Sequence, residues 1–231
     1  TPALFNAVPN TSEPIVKTVS WLTALESSKN SSERRSSLRA VPRIGYSASY
    51  YIGPLEWAAL RASDLLTLPA HSILPAGTYE LQEPQSELEH VRYGKTAAVS
   101  LELLATANNE VVPAYTGPKS ASNGALYLFP SAVVNGREQP RDGVAWSVNE
   151  FDEGHVRSRQ LRYRKRTVSV LCTVSGAAEV ATFYSFLHHL RGRYQPFRYQ
   201  HFTDDRERTW RLASDDVALT FRRPDLAECQ L

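Results

Sequence analysis

Methionine is absent from the 231 residues, cysteine occurs twice, and lysine occurs only at positions 17, 29, 95, 119 and 165. Each scarcity narrows the class of protein. Two cysteines, Cys172 and Cys229, are too few for a disulfide-dense scaffold, or for a zinc or iron–sulfur centre built from cysteine alone. With 11 Gly and 14 Pro the composition is not collagen-like. No apolar run approaches the roughly 18 residues that span a bilayer, so membrane insertion is not expected. Thr1 to Thr11 has neither a basic nor an apolar stretch, so this segment does not read as a secretory leader. What remains is an ordinary folding composition, with 42% apolar, 10% aromatic and 22% charged residues. The length suits one large β domain or two domains of roughly 100 residues.

The net charge of +2 conceals an asymmetry. Residues 1–150 carry 12 basic and 14 acidic side chains, and residues 151–231 carry 14 basic and 10 acidic. The positive excess lies in the second part and is nearly all arginine, which would present a basic face to a partner or to solvent.

Periodicity predicts a strand over 15–22, with Ile15, Val19 and Trp21 on one face and Lys17 interrupting them. The Ser-rich, charged stretch 26–37 reads as a long hairpin loop. A strand over 44–52 follows, then Gly53-Pro54 and a helix over about 55–66 ended by Pro69. Between 71 and 135, prolines separate short β-like pieces at 91–93, 97–104, 111–115 and 125–129, the last after the turn dipeptide Asn123-Gly124. Further strands are predicted at 144–148 and 160–174. A helix over 177–190 carries the stripe Val180, Phe183, Leu187, Leu190, widened by Phe186 and stopped by Gly192. Strands at 209–213 and 217–222 complete the chain.

A shift of 123 residues superimposes Arg34 on Arg157, Leu38 on Leu161, Arg39 on Arg162, Arg43 on Arg166, Gly53 on Gly176, Glu56 on Glu179 and Ala58 on Ala181. The order of elements agrees too: basic strand, apolar strand, glycine stop, helix. One supersecondary unit used twice would produce this. The expected organisation is therefore a β domain at 1–70, an inserted β subdomain or set of elaborated loops at 71–135, and a second β domain at 136–231.

Chemical motifs are sparse. Gly94-Lys95-Thr96 has Glu89 where a phosphate loop needs glycine, so it reads as a turn. Ser47 has Gly45 on one side but Ser49 on the other, so it reads as a strand residue rather than a nucleophile elbow. His188 and His189, being adjacent on a helix, diverge by about 100° and cannot share a metal. His201 with Asp204 and Asp205, among Arg198, Arg206 and Arg208, reads as a salt-bridged loop. Asn10 and Asn30 stand in formal glycosylation triplets that mean little without a leader. No catalytic residue, cofactor or metal is expected. The strongest concentration of charge is Arg157, Arg159, Arg162, Arg164, Lys165 and Arg166 with Tyr163 among them. On a strand the even positions 162, 164 and 166 share one face. Together with Arg34, Arg35, Arg39 and Arg43 these form the candidate assembly surface.

Two segments resemble a known family. Trp21-Leu22-Thr23, followed by Glu33-Arg34-Arg35-Ser36-Ser37-Leu38-Arg39-Ala40-Val41-Pro42-Arg43, is similar to an N-terminal signature of tail proteins of long-tailed bacteriophages. Here Glu33 and Arg34 adjoin without the glutamine that the family pattern places between them. Phe186-Leu187-His188-His189-Leu190-Arg191-Gly192-Arg193-Tyr194-Gln195-Pro196-Phe197, with Asp204-Asp205 beyond, resembles a signature of distal tail and minor tail proteins. The resemblance covers about 34–66 and 157–205. It implies a mainly β, α+β chain of two tandem tail-tube-like domains, each a β-sandwich or split barrel with one packed helix. It also implies a non-enzymatic virion protein, made in the bacterial host cytoplasm. The protein would form a ring with itself, read as a hexamer, at the distal end of the tail. Its expected neighbours are the tail tube protein, the hub or tip proteins and the tape-measure protein, and DNA meets it only in passage. Two rival classes predict different observations. A nucleic-acid-binding module using 157–166 predicts steeply salt-dependent DNA affinity. A cell-envelope hydrolase at the tail tip predicts turnover on peptidoglycan, though no carboxylate pair or nucleophile in the sequence supports it.

Overall fold

The computed structural model describes residues 1–27, 33–82, 90–93, 95–107, 110–130, 134–150, 156–200 and 206–231, with the backbone alone at 27, 33, 90–93, 134–150 and 156–166. The described residues are mainly β with two helices. In order it forms β1 (Ala3–Leu4), β2 (Ile15–Ser20), β3 (Thr23–Ser27), β4 (Glu33–Ser37), β5 (Arg43–Ile52), α1 (Pro54–Ala62), β6 (Leu65–Leu68), β7 (Gly77–Leu81), β8 (His90–Tyr93) and β9 (Thr96–Ala105). The second half adds β10 (Val134–Glu150), β11 (Val156–Ser175), α2 (Ala177–Leu190), β12 (Phe197–Tyr199), β13 (Arg208–Trp210), β14 (Asp216–Arg223) and β15 (Leu226–Gln230).

Eleven strands make one sheet in the order β1-β6-β7-β9-β5-β2-β14-β15-β11-β10, with β8 added beside β9. Among the described ladders of this sheet only the β1·β6 pair is parallel. Register shows how the sheet is used. Lys17 stands opposite both Tyr46 and Leu219, Leu219 opposite Cys229, and Cys229 opposite Cys172. On the other side Ala48 faces Leu101 and Leu81 faces Leu103. Residues directly opposite in a ladder point the same way, so the buried side chains of all these strands lie on one face. Both helices pack there, α1 against β1 and β5, and α2 against β11 and β15. The reverse face carries Thr18, Ser20, Ser47, Ser49, Ser100 and Thr220, none of them buried.

Two cores sit under the covered face. The first gathers Phe5, Tyr50, Ile52, Leu60, Leu74, Tyr79 and Leu101. The second gathers Cys172, Phe183, Phe186, Leu190, Leu219 and Cys229, together with Tyr115 and Phe129. Among the described residues, segment 71–135 shows no sheet of its own. Its strands β7, β8 and β9 extend the sheet that contains β5, whereas Tyr115 and Phe129 pack in the second core. Residue 70 falls in the loop between β6 and β7, which pair with one another, and the sheet crosses from one half to the other at β2·β14.

Several expectations change in detail. The helix predicted to Leu66 ends at Ala62. Ser63 is extended at φ −158° and its Oγ accepts the Leu65 N–H at 3.1 Å, which sends 65–68 into β6. Stretch 26–37 is not a plain loop, because β3 and β4 pair across it. Residues 111–115 form no strand, and 125–129 contribute only isolated bridges, Tyr127 to Lys119 and Leu128 to Arg198. The 209–213 piece is β13, paired with β12 rather than with β14. The true neighbour of β14, β15, was not foreseen. The predicted strands at 144–148 and 160–174 lie within the much longer β10 and β11.

The 123-residue offset recurs in the backbone. Thr23 partners Ser37 in one hairpin and Trp146 partners Gln160 in the other. α1 starts at Pro54 and α2 at Ala177.

Candidate assembly surface

Lys17 explains why it interrupts an apolar strand face. It is 7% exposed, and its Nζ donates to Glu110 Oε1 at 2.6 Å and Oε2 at 2.8 Å. The same carboxylate accepts from Tyr46 Oη at 3.1 Å and from Tyr184 Oη at 2.6 Å. The ammonium lies 4.1 Å from the centroid of the Tyr184 ring, a cation–π distance. The His188 ring stacks edgewise on Tyr184 at 4.5 Å and on Trp21 at 5.4 Å. This cluster draws Lys17 and Tyr46 from the first half of the sheet, Tyr184 and His188 from α2, and Glu110 from the connecting segment. It ties the halves together beneath β2·β14.

Its electrostatics follow from burial and from that pairing. Desolvation lowers the Lys17 pKa, with Glu110 opposing the shift. Desolvation pushes Glu110 upward, but Lys17 and the hydrogen bonds from Lys17, Tyr184 and Tyr46 overcome it and leave the carboxyl below its usual range. Burial raises both Tyr46 and Tyr184, and Glu110 adds to the effect. Burial lowers His188 to about 4. A carboxylate that already accepts from an ammonium and two phenols is poorly placed to take a proton from a substrate, so the arrangement is built for holding rather than for acid–base turnover.

A second junction centres on Asp215, just before β14. Its Oδ2 accepts the Thr23 N–H at 2.9 Å, and its Oδ1 accepts the Thr23 hydroxyl at 2.8 Å and the Arg193 N–H at 2.9 Å. Its backbone carbonyl accepts from Trp21 N at 3.0 Å. Arg193 Nη2 adds an ion pair at 3.2 Å, and Arg35 Nη1 donates to the Arg193 carbonyl at 2.9 Å. These bonds outweigh burial and depress the Asp215 pKa. The chain reaches this position because Arg191 and Gly192 are both left-handed, with φ +52° and +63°. A Cβ on Gly192 would press on Asp215 and on Trp21. The run Arg191-Gly192-Arg193 singled out in the sequence therefore serves to close the β3–β4 hairpin onto the second half.

The predicted assembly surface divides into two groups. Arg34 is exposed and stands opposite Glu26 on the hairpin, and Arg43 is exposed at the start of β5. Arg35 and Arg39 are half-buried. Arg157, Arg159, Arg164, Lys165 and Arg166 occupy register positions on β11 opposite Asn149, Ser147, Val144, Gly143 and Asp142. Arg162 lies on the same strand, where the register shifts between Val144 and Trp146. The side chains of these six lie outside the described residues, so the two groups are linked here by strand and offset alone.

The remaining motifs fall into place. Ser47 and Ser49 sit on the reverse face of β5, as alternation requires. His189 turns away from His188 and stacks on Tyr127 at 4.7 Å. The His201–Asp204–Asp205 group and Gly94 lie outside the described residues. Among the described residues no three His, Cys, Asp or Glu side chains converge as a metal would require. Cys172 and Cys229 are buried free thiols directly opposite one another, and burial pushes Cys172 up to about 12. Val170 and Leu231 exchange both backbone hydrogen bonds two residues away, which makes 172·229 a hydrogen-bonded pair as well. Such pairs hold their Cα atoms about 5.5 Å apart, with the side chains farther apart than at the narrow sites, so this register does not favour a disulfide.

Sequence reasoning marked Lys17 as an anomaly but missed Glu110. Its one signal was a lone acidic residue before an apolar pair in a proline-punctuated segment.

No protein-family model matches the chain, and no curated protein is similar to it at a significant level. Among the described residues no helix is long and apolar enough to cross a membrane.

Proposed function

We propose that this chain is a structural virion protein that forms a ring at the distal end of a phage tail. In that role it joins the tail tube to the hub and tip proteins and surrounds the path of the DNA. Its two halves act as tandem tail-tube-like domains set side by side. The observation that carries this reading is the one-sided continuous sheet: both helices and both cores lie on one face, and the other is left uncovered, with Thr18, Ser20, Ser47, Ser49, Ser100 and Thr220 standing among Arg43, Glu80, Glu102, Asp216, Arg222 and Glu228. Acidic groups outnumber cations among these, and Arg222 pairs with Glu228 at 3.2 Å. A face with few cations among its described side chains suits a channel that must let DNA slide without holding it, because phosphate affinity grows with each neutralising cation. Ring closure uses heterologous contacts between identical subunits.

Negative-stain imaging and native mass of the purified protein test the reading. Closed rings with a central opening are expected, and protein-specific antibody should label the tail tip of the intact particle. Tight, steeply salt-dependent DNA binding by the isolated chain would instead favour a nucleic-acid-binding module. Absence of label from tails would reject the virion role.

A further inference from the structure

We propose that the cavity at the C-terminal end of α2 binds a small phosphate monoester, whose phosphate is held by Arg191 and Lys119. The inference stands apart from the ring reading, because it concerns a single chain.

The cavity has a volume of about 520 Å³ and lies between the last turn of α2, the loop after it and residues 112–115. His188 and His189 from the helix, Arg191, Tyr194 and Gln195 from the loop, and Tyr127 from the connecting segment all line it. These groups carry N–H and O–H donors, and among the described residues the wall holds no carboxylate. Lys119 reaches the same place: its Nζ lies 5.3 Å from the centroid of the Tyr127 ring, on which the His189 ring stacks at 4.7 Å. Burial lowers the His189 pKa, and the charges of Arg191 and Lys119 lower it further, so both cations act on this one imidazole. Neither Arg191 nor Lys119 has a carboxylate partner among the described residues. The acids that neighbour the wall are already engaged. Asp215, against Gly192, accepts from Thr23 and Arg193, and Glu110, which acts on His188, accepts from Lys17, Tyr46 and Tyr184. The cavity of about 460 Å³ beside Tyr79 has the opposite character, with Glu110 in its wall and no cation among its described lining residues.

The backbone gives an independent reason. Among the described residues Arg191 alone, glycines aside, has a positive φ, at +52°. Glycine is the usual residue for this conformation at a helix end, since it has no Cβ to strain. A cation there gains from the helix dipole, but it would gain as well within the last helical turn, without the strain. Strain of this kind is retained where a side chain has work at that position. Here it sets an exposed guanidinium at the cavity.

Charge selects the ligand. A phosphate monoester carries about −1.5 to −2 at neutral pH and presents three acceptor oxygens. That matches two cations without carboxylate partners and a wall of donors, whereas a carboxylate would neutralise only one of them. The volume falls in the range of about 300–1,000 Å³ typical of small-molecule sites, which leaves room for the body that bears the phosphate.

Isothermal titration of the full chain at low salt tests the site with glucose 6-phosphate, inorganic phosphate and glucose. Glucose 6-phosphate should bind at least tenfold more tightly than glucose, and more tightly than inorganic phosphate. Arg191→Gly, which relieves the backbone, should melt no lower than wild type and bind glucose 6-phosphate at least tenfold more weakly. Lys119→Gln, at an exposed position where folding is not at stake, should weaken binding at least threefold. Arg61→Gln, at the end of α1, should bind as wild type does. Inorganic phosphate bound as tightly as glucose 6-phosphate would overturn the monoester in favour of a bare oxyanion. Glucose bound as tightly as its phosphate, no binding by wild type, or full affinity in Arg191→Gly or Lys119→Gln would overturn the site.

Discussion

The two passages from strand into helix, β5 into α1 and β11 into α2, carry glycine and glutamate at the same offset and use them differently. At the first, Gly53 has φ −96°, and Glu56 closes the cap by accepting the Gly53 N–H at 3.0 Å. Most residues could adopt that backbone. At the second, Gly176 has φ +105°, a conformation that strains any residue with a Cβ, and the Glu179 carboxylate occupies the space a Cβ would need. The helices differ in proportion. α1 buries Leu60, whereas α2 buries Phe183, Phe186, Leu187 and Leu190. Both cores draw on segments outside their helices, Phe5 and Leu74 in the first and Tyr115, Phe129 and Leu212 in the second. A repeated outline therefore does not mean repeated energetics: one helix buries a single side chain, whereas the other buries four hydrophobic ones that pack with Tyr115, Phe129, Phe197 and Tyr199.

Substitutions that remove buried groups test this contrast most severely. Glu110→Gln leaves the Lys17 ammonium buried without its counter-charge, and a loss of about 3–5 kcal/mol in denaturant unfolding is expected. Adding Lys17→Met should recover much of that loss, since an apolar pair needs no compensation. Phe186→Ala should cost about 4 kcal/mol and Leu60→Ala about 3 kcal/mol. If β2·β14 and the Glu110 cluster couple the halves, either variant shifts a single unfolding transition. Two separated calorimetric transitions would show instead that the halves unfold independently.

The glycines distinguish the halves next. Gly176→Ala should cost about 1–3 kcal/mol from backbone strain and crowding, against a few tenths, about 0.5 kcal/mol at most, for Gly53→Ala. Equal losses would remove the contrast drawn above.

Acid comes after that. His188 is held at about 4 against an ordinary 6.5, so between those values the unfolded chain binds the extra proton. Its contribution is complete above pH 6.5 and falls away as the pH drops toward 4. Glu110 and Asp215, both depressed, contribute above the ordinary carboxylate range and lose that contribution as pH falls further. In urea titrations from pH 7 to 4, His188→Gln should flatten the upper part of this decline. The smallest effect is expected at the rim: Arg34→Ala, exposed on its hairpin, should change stability by less than about 0.5 kcal/mol.

How much of this was legible in the sequence follows from the range of each interaction. Local patterns survived well. The α2 stripe, the alternation of β5 and the 123-residue offset are all features of neighbouring residues or of a fixed shift. β15 was missed because Leu226-Ala227-Glu228-Cys229-Gln230 buries only Ala227 and Cys229, too little apolar volume to stand out. The end of α1 was missed because Leu65, Leu66 and Leu68 continue a helical composition, and only the Ser63 hydroxyl redirects the backbone. Glu110 was beyond reach, since its cationic partner lies 93 residues away. The division of segment 71–135 between two cores was equally hidden, because its short pieces acquire meaning only from the sheet they join.

The β2·β14 pairing also has a kinetic meaning. Its two strands belong to one chain, so they meet at an effective concentration fixed by the intervening polypeptide rather than by how much protein has been made. This contact forms in a newly folded molecule however dilute it is. Any contact between copies depends on encounter and has a concentration threshold.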